Sequence, residues 1–197
     1  MKFFIACTLL LLLSFFVQEF VPVFEWAFSS RLLLVHTTFL AIAGTVPFPA
    51  MLAYAFTAGF LWDARYHLPV YPADAASGVL TQAELPFGFT IFIFGITGAL
   101  IQGIRPLFRR GRWELPVFMV GLCIALGLLI EYLILSFHRG GLEIPAELWW
   151  RLLMSGLFSA LVSPFLLLLL SRLAARMRYQ LRSEESKRRH TYDGDAL

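Results

Sequence analysis

Charge is what this sequence has least of. Charged residues make up 15% of its 197 positions, while 59% are hydrophobic and the mean hydropathy is +0.74. Soluble domains run near about 25% charged and about 45–50% apolar, so a water-soluble domain is excluded. Cysteine is scarce too. Cys7 and Cys123 each sit inside an apolar stretch and outside any C-x-x-C pair, which excludes a disulfide framework and makes both of them small core residues. Motifs of chemistry are missing as well: there is no G-x-S-x-G elbow, no H-E-x-x-H, no Cys/His cluster with metal-ligand spacing and no Walker-type phosphate loop. These absences argue against an enzyme and against a metal or cofactor. The net charge of +3 comes from basic residues beside apolar stretches. It therefore points to a membrane surface rather than to nucleic acid.

What is present is a series of long apolar runs. A membrane-spanning helix needs about 20 mostly apolar residues. Six candidates qualify or come close, at Phe3–Val21, Leu32–Val46, Phe48–Trp62, Pro86–Ile104, Leu115–Phe137 and Leu148–Leu173. The second and third meet at Gly44-Thr45-Val46-Pro47-Phe48-Pro49, where two prolines predict a break and a tight hairpin, with one long kinked segment as the alternative. The first run follows Lys2 but ends in Gln18, Glu19 and Phe20, without the small residues of a cleavage site. It reads as an uncleaved first transmembrane helix. The fold class expected is all-α, a compact six-helix transmembrane bundle over residues 1–173. A basic, partly disordered cytoplasmic tail over 174–197 follows it.

The basic residues orient this bundle. Twelve of the sixteen Lys and Arg lie at Lys2, in the loop holding Arg105, Arg109, Arg110 and Arg112, or in the tail from Arg172 through Arg176, Arg178 and Arg182 to Arg189. The other four are Arg31, Arg65, Arg139 and Arg151. With six spans, this split puts both termini and the 105–112 loop in the cytoplasm. The loop and tail arginines are candidate binders of anionic lipid. Trp26, Trp62, Trp113, Trp149 and Trp150 fall near predicted span ends, as interfacial aromatics do.

A few polar and small residues interrupt the apolar runs. Small residues recur every four positions in the third span (Ala55, Gly59, Asp63), the fourth (Gly95, Ala99, Gly103) and the sixth (Ser155, Ser159, Ser163, beside Gly156, Ala160 and Pro164). In lipid such stripes let backbones approach, either within the bundle or toward a partner. Asp63 shares the third stripe and reads as a tie for the 64–85 connection, a partner contact or a substrate or ion site. His36, Glu131 and Arg151 form a polar set toward the outer face. A Glu131–Arg151 or Glu131–His36 pair is expected to lower the cost of burying the acid, with an outward polar cavity as the alternative.

The order of these features resembles a known family. Tyr54-Ala-Phe-Thr-Ala-Gly-Phe-Leu-Trp-Asp63 resembles the G-x-x-x-D helix end of the rod shape-determining protein MreD family. Leu85-Pro-Phe-Gly-Phe-Thr90 is similar to the P-x-G stretch opening its next helix. Ala160-Leu-Val-Ser-Pro-Phe-Leu-Leu-Leu-Leu-Leu-Ser-Arg172 is similar to its last helix. The likeness covers most of residues 1–175, though the 64–85 connection and the tail are longer than in the family. It implies a non-enzymatic scaffold of the bacterial inner membrane. The scaffold would pair with an MreC-like bitopic protein and link MreB filaments to RodA and a class B penicillin-binding protein. It carries over Gly59, Asp63, Pro86, Gly88 and Pro164 as packing or partner positions. The competing reading is a substrate-binding subunit of an energy-coupling-factor vitamin transporter, which MreD-like chains are expected to resemble in fold. Its site would draw on Glu131, His36 and Trp26, but the first helix lacks the A-x-x-x-A contact for a coupling subunit. A membrane-embedded enzyme has no motif behind it.

Overall fold

The computed structural model describes residues 2–28, 30–66, 86–108, 114–138 and 146–177, without the side chains of Tyr66, His138 and residues 105–108. Six α-helices order them: α1 (Lys2–Gln18), α2 (Leu34–Thr45), α3 (Phe48–Tyr66), α4 (Phe89–Phe108), α5 (Glu114–His138) and α6 (Ala146–Arg176). Among the described residues there is no strand, only a Phe24–Ser30 bridge around a single 3-10 turn at Glu25–Ala27. An all-helical answer follows from the composition, because helices satisfy their own backbone groups where water is scarce.

Two helices, α5 over Glu114–Phe137 and α6 over Ala146–Arg176, are long and apolar enough to cross a membrane. Among the described residues the other four do not meet that standard, so the six expected spans are six helices of unequal reach. Most unequal is α2, whose 12 residues extend about 18 Å against a hydrocarbon thickness of about 30 Å. Large apolar side chains remain exposed on the outward faces, among them Leu9, Phe56, Phe92, Phe118, Leu161 and Phe165. So many exposed large apolar side chains suit lipid rather than water.

The short helix is the axis of the bundle. Every residue of α2 from Val35 to Ala43 is buried, and α2 touches each of the other five helices. A helix that is apolar all round belongs in the interior. Side-chain ties give the helix directions. Gln18 at the end of α1 bonds to the start of α2, and Gln102 near the end of α4 bonds to the end of α2. Tyr54 early in α3 donates to Phe4 O early in α1, at 2.8 Å, while Arg65 late in α3 reaches Glu19 just past α1. Thus α3 runs parallel to α1, and α2 antiparallel to both. The break at Val46-Pro47 is a hairpin, not a kink, and α3 continues one turn beyond Trp62 to Tyr66. One end of the bundle gathers Lys2, the end of α4 and Arg172 and Arg176 of α6; the other gathers Gln18, Arg31, Asp63, Gly88 and Arg151.

Glycines set the closest helix contacts. A Cβ built on Gly59 would stand 2.5 Å from Ile91 Cα and 2.7 Å from Ile91 N, so α3 and α4 meet backbone to backbone. Gly121 and Gly156 face each other in the same way, each Cβ position lying 2.9 Å or less from the other's carbonyl oxygen. Close packing of this sort replaces the hydrophobic drive that lipid does not supply.

Candidate functional site

Polar side chains in this bundle mostly serve backbone groups that an apolar setting would otherwise leave bare. At the start of α2, Gln18 uses both ends of its amide: Nε2 donates to Leu32 O (2.9 Å), and Oε1 accepts from Leu34 N (2.7 Å). Ser155 Oγ accepts from Arg31 N (3.3 Å) and Ser159 Oγ from Leu33 N (3.4 Å). Two of the three serines of the α6 stripe, Ser155 and Ser159, therefore hold the chain that leads into α2. At the other end of α2, Gln102 Nε2 donates to Ala43 O (2.6 Å) and Val46 O (2.7 Å). Neither glutamine stands out in the sequence, because nothing local shows which distant helix end needs a cap. Pro164 lies inside α6 and cannot donate to Ala160 O; the Ser163 hydroxyl donates to that carbonyl instead, at 2.9 Å.

Gly59, Asp63, Pro86 and Gly88 lie together at the α3–α4 corner, whereas Pro164 is in α6. Asp63 is fully buried, and its Oδ2 accepts from Gly88 N at 2.7 Å. Gly88 sits at φ +92°, a conformation that favours glycine, and so turns the chain from Pro86 into α4. Gly59, one turn before Asp63, is the point of backbone contact with Ile91. The corner is thus a helix-start clamp: an acid near the end of one helix holds the N–H that opens the next.

Several expectations change. Glu131 is half-buried on α5 and makes no ion pair with Arg151 and no hydrogen bond with His36 among the described residues. His36 is instead packed among rings, with Phe94 stacked at 4.5 Å and Trp62 edge-on at 4.6 Å between centroids. Its Nδ1 has no hydrogen-bond partner among the described residues. It faces an apolar cavity of about 10 Å³ beside Cys123 and Thr97, room for no more than one water. Trp62 is half-buried against His36 and Phe15, while Trp26, Trp149 and Trp150 are exposed. The Gly95-Ala99-Gly103 stripe turns outward: a Cβ on Gly95 or Gly103 would meet nothing within 4 Å. Gly98 on the inner face packs on Met51 and Phe39 in its place. Arg105 belongs to α4 rather than to a loop, and Arg176 is exposed at the end of α6. Arg109, Arg110, Arg112, Arg178 and Arg182, most of the 64–85 connection and the tail beyond 177 lie outside the described residues.

A larger cavity of about 270 Å³ opens among α1, α2, α3, α5 and α6 at the Gln18 end. Arg31, Arg151 and Ser155 line it on one side, with Trp62, Leu33 and Leu128 beside them. It shares only Arg151 with the polar set read from the sequence. His36 and Glu131 are not on its wall. No group of three or more His, Cys, Asp or Glu that could hold a metal ion occurs among the described residues. Compared with protein-family models, curated proteins and solved structures, the chain matches none of them.

Proposed function

We propose that this protein is a non-catalytic scaffold of the bacterial inner membrane, with six spans and both termini cytoplasmic, in the cell-elongation machinery. The observation that carries the reading is the use of small residues. Gly59, Gly98, Gly121 and Gly156 are consumed inside the bundle, while Gly95, Ala99 and Gly103 leave an open, backbone-accessible face on α4. A single transmembrane helix packs on such a face without a hydrophobic drive, and an MreC-like bitopic protein supplies one. The Asp63–Gly88 clamp adds support, because it gives the G-x-x-x-D and P-x-G resemblance a shared physical task. MreB, RodA and a class B penicillin-binding protein would be reached through that partner, with anionic lipid at the basic end.

Two experiments test this. Reporters fused after Ser77 and after Arg189 should fall on opposite sides of the membrane; a common side rejects the six-span topology. Depletion in the native host should round or widen cells, and the protein should co-purify with an MreC-like protein. Normal cell shape without that partner rejects the scaffold. The 270 Å³ cavity favours a second reading, a substrate-binding subunit of an energy-coupling-factor transporter, which tight retention of a vitamin on purification would select.

A further inference from the structure

Three arginines at the Gln18 end of the bundle are described, and their fates differ. Arg65 lies flat against Glu19, with Nε 3.0 Å from Oε1 and Nη2 2.8 Å from Oε2. Arg31 and Arg151 both line one cavity, and their guanidinium groups form no ion pair and no hydrogen bond among the described residues. Glu147 stands four residues before Arg151, the spacing at which acid and base pair along a helix, yet no ion pair joins them. Two exposed cations without a counter-ion among the described residues therefore line one hollow from distant parts of the chain.

Their placement is built rather than incidental. The backbone N–H of Arg31 donates to Ser155 Oγ, which lies one helical turn beyond Arg151 and also lines the cavity. That bond docks the chain around Arg31 onto the helix face that carries Arg151. Trp62, also on the wall, packs against His36 edge-on at 4.6 Å and against Phe15 at 6.4 Å. The hollow thus pairs two forked donors with a rigid aromatic wall and the aliphatic surfaces of Leu33 and Leu128. At about 270 Å³ it is close to the small end of ligand sites, about 300–1,000 Å³. Arginine forks match the oxygen edges of phosphate. We infer that this cavity binds the phosphate group of a small phosphate ester, held by Arg31 and Arg151, with the ester's apolar portion lying against Trp62 and Leu128. The inference rests on the helix arrangement and not on the scaffold reading. If the topology experiment fails, the cavity changes side and the binding test stands.

The phosphate has two sources, a phospholipid headgroup or a free phosphomonoester, and the full-length protein distinguishes them. In phosphate-free maltoside detergent, n-butyl phosphate should change tryptophan fluorescence saturably, and Trp62→Phe should remove most of that change. In native mass spectrometry from mixed detergent and phosphatidylglycerol, bound phosphatidylglycerol should survive if the source is lipid. Whichever probe binds, Arg31→Gln with Arg151→Gln should weaken it by about a hundredfold, about tenfold for each guanidinium fork removed from the phosphate. Arg65→Gln, at the arginine already paired with Glu19, should leave it unchanged. Should the double variant fail to fold, Arg151→Lys, which keeps the charge and loses the fork, should still weaken binding severalfold. Equal binding by wild type and the substituted protein overturns the inference. So does failure of both probes at millimolar concentration.

Discussion

The two faces of α4 carry the same kind of residue and meet opposite fates. On the inner face Gly98 lies against Met51 and Phe39, and the backbone at Ile91 touches Gly59 of α3. On the outer face Gly95 and Gly103 have nothing within 4 Å of a would-be Cβ. A small residue in an apolar helix thus records a close approach only if a second helix is there to make it. Where none is present, the same spacing leaves a face on which a helix of another protein can pack.

The comparison breaks most readily on the inner side. Gly59→Leu places a branched side chain where even a Cβ is 2.5 Å from backbone, and should cost at least about 3 kcal/mol, read as loss of folded, monodisperse protein. Wild-type yield would show that α3 and α4 are not in contact. Phe60→Leu, at an exposed position, should do little.

Next in size is the polar cap on α2. Gln18→Ala strips a donor from Leu32 O and an acceptor from Leu34 N, and should cost about 2–4 kcal/mol in a thermal or denaturant melt. Gln18→Glu keeps the acceptor alone and should fall between the two. No change on Gln18→Ala would mean that water reaches the start of α2.

Asp63→Ala should cost about 1–3 kcal/mol by baring Gly88 N–H. Asp63→Asn keeps an acceptor oxygen and should be milder in the same melt. If Asp63→Asn matches Asp63→Ala in cells while protein levels stay normal, Asp63 also contacts a partner.

The outer face should respond in binding rather than in stability. Gly103→Leu or Gly95→Leu should leave stability within about 0.5 kcal/mol yet reduce co-purification of the MreC-like partner. Loss of folded protein would show that this face is packed within the molecule, and full partner retention would move the docking surface elsewhere. The smallest effect is expected at the exposed Arg65–Glu19 pair, where Glu19→Gln should shift stability by no more than about 1 kcal/mol.

Apolar run length and punctuation decided the helices: the boundaries read from the sequence fall within a few residues of those observed, except that α3 continues to Tyr66 and α4 to Phe108. Pro47 and Pro49 marked the hairpin because proline removes a donor and fixes φ wherever it stands. The close role of Gly59 was legible from its register with Asp63. What the sequence did not contain was direction across the bundle. Glu131 looked like a partner for Arg151 by depth alone, but depth does not say which way a side chain points around the helix, and no ion pair joins the two among the described residues. Gln18 and Gln102 looked like ordinary polar residues near helix ends; their caps span 14 and more than 50 positions. The sequence by itself determined the class, because composition and local propensity act residue by residue. Only the tertiary structure decided which polar groups are satisfied, which glycines are filled and where two arginines converge, because those depend on the rotation and neighbours of each helix.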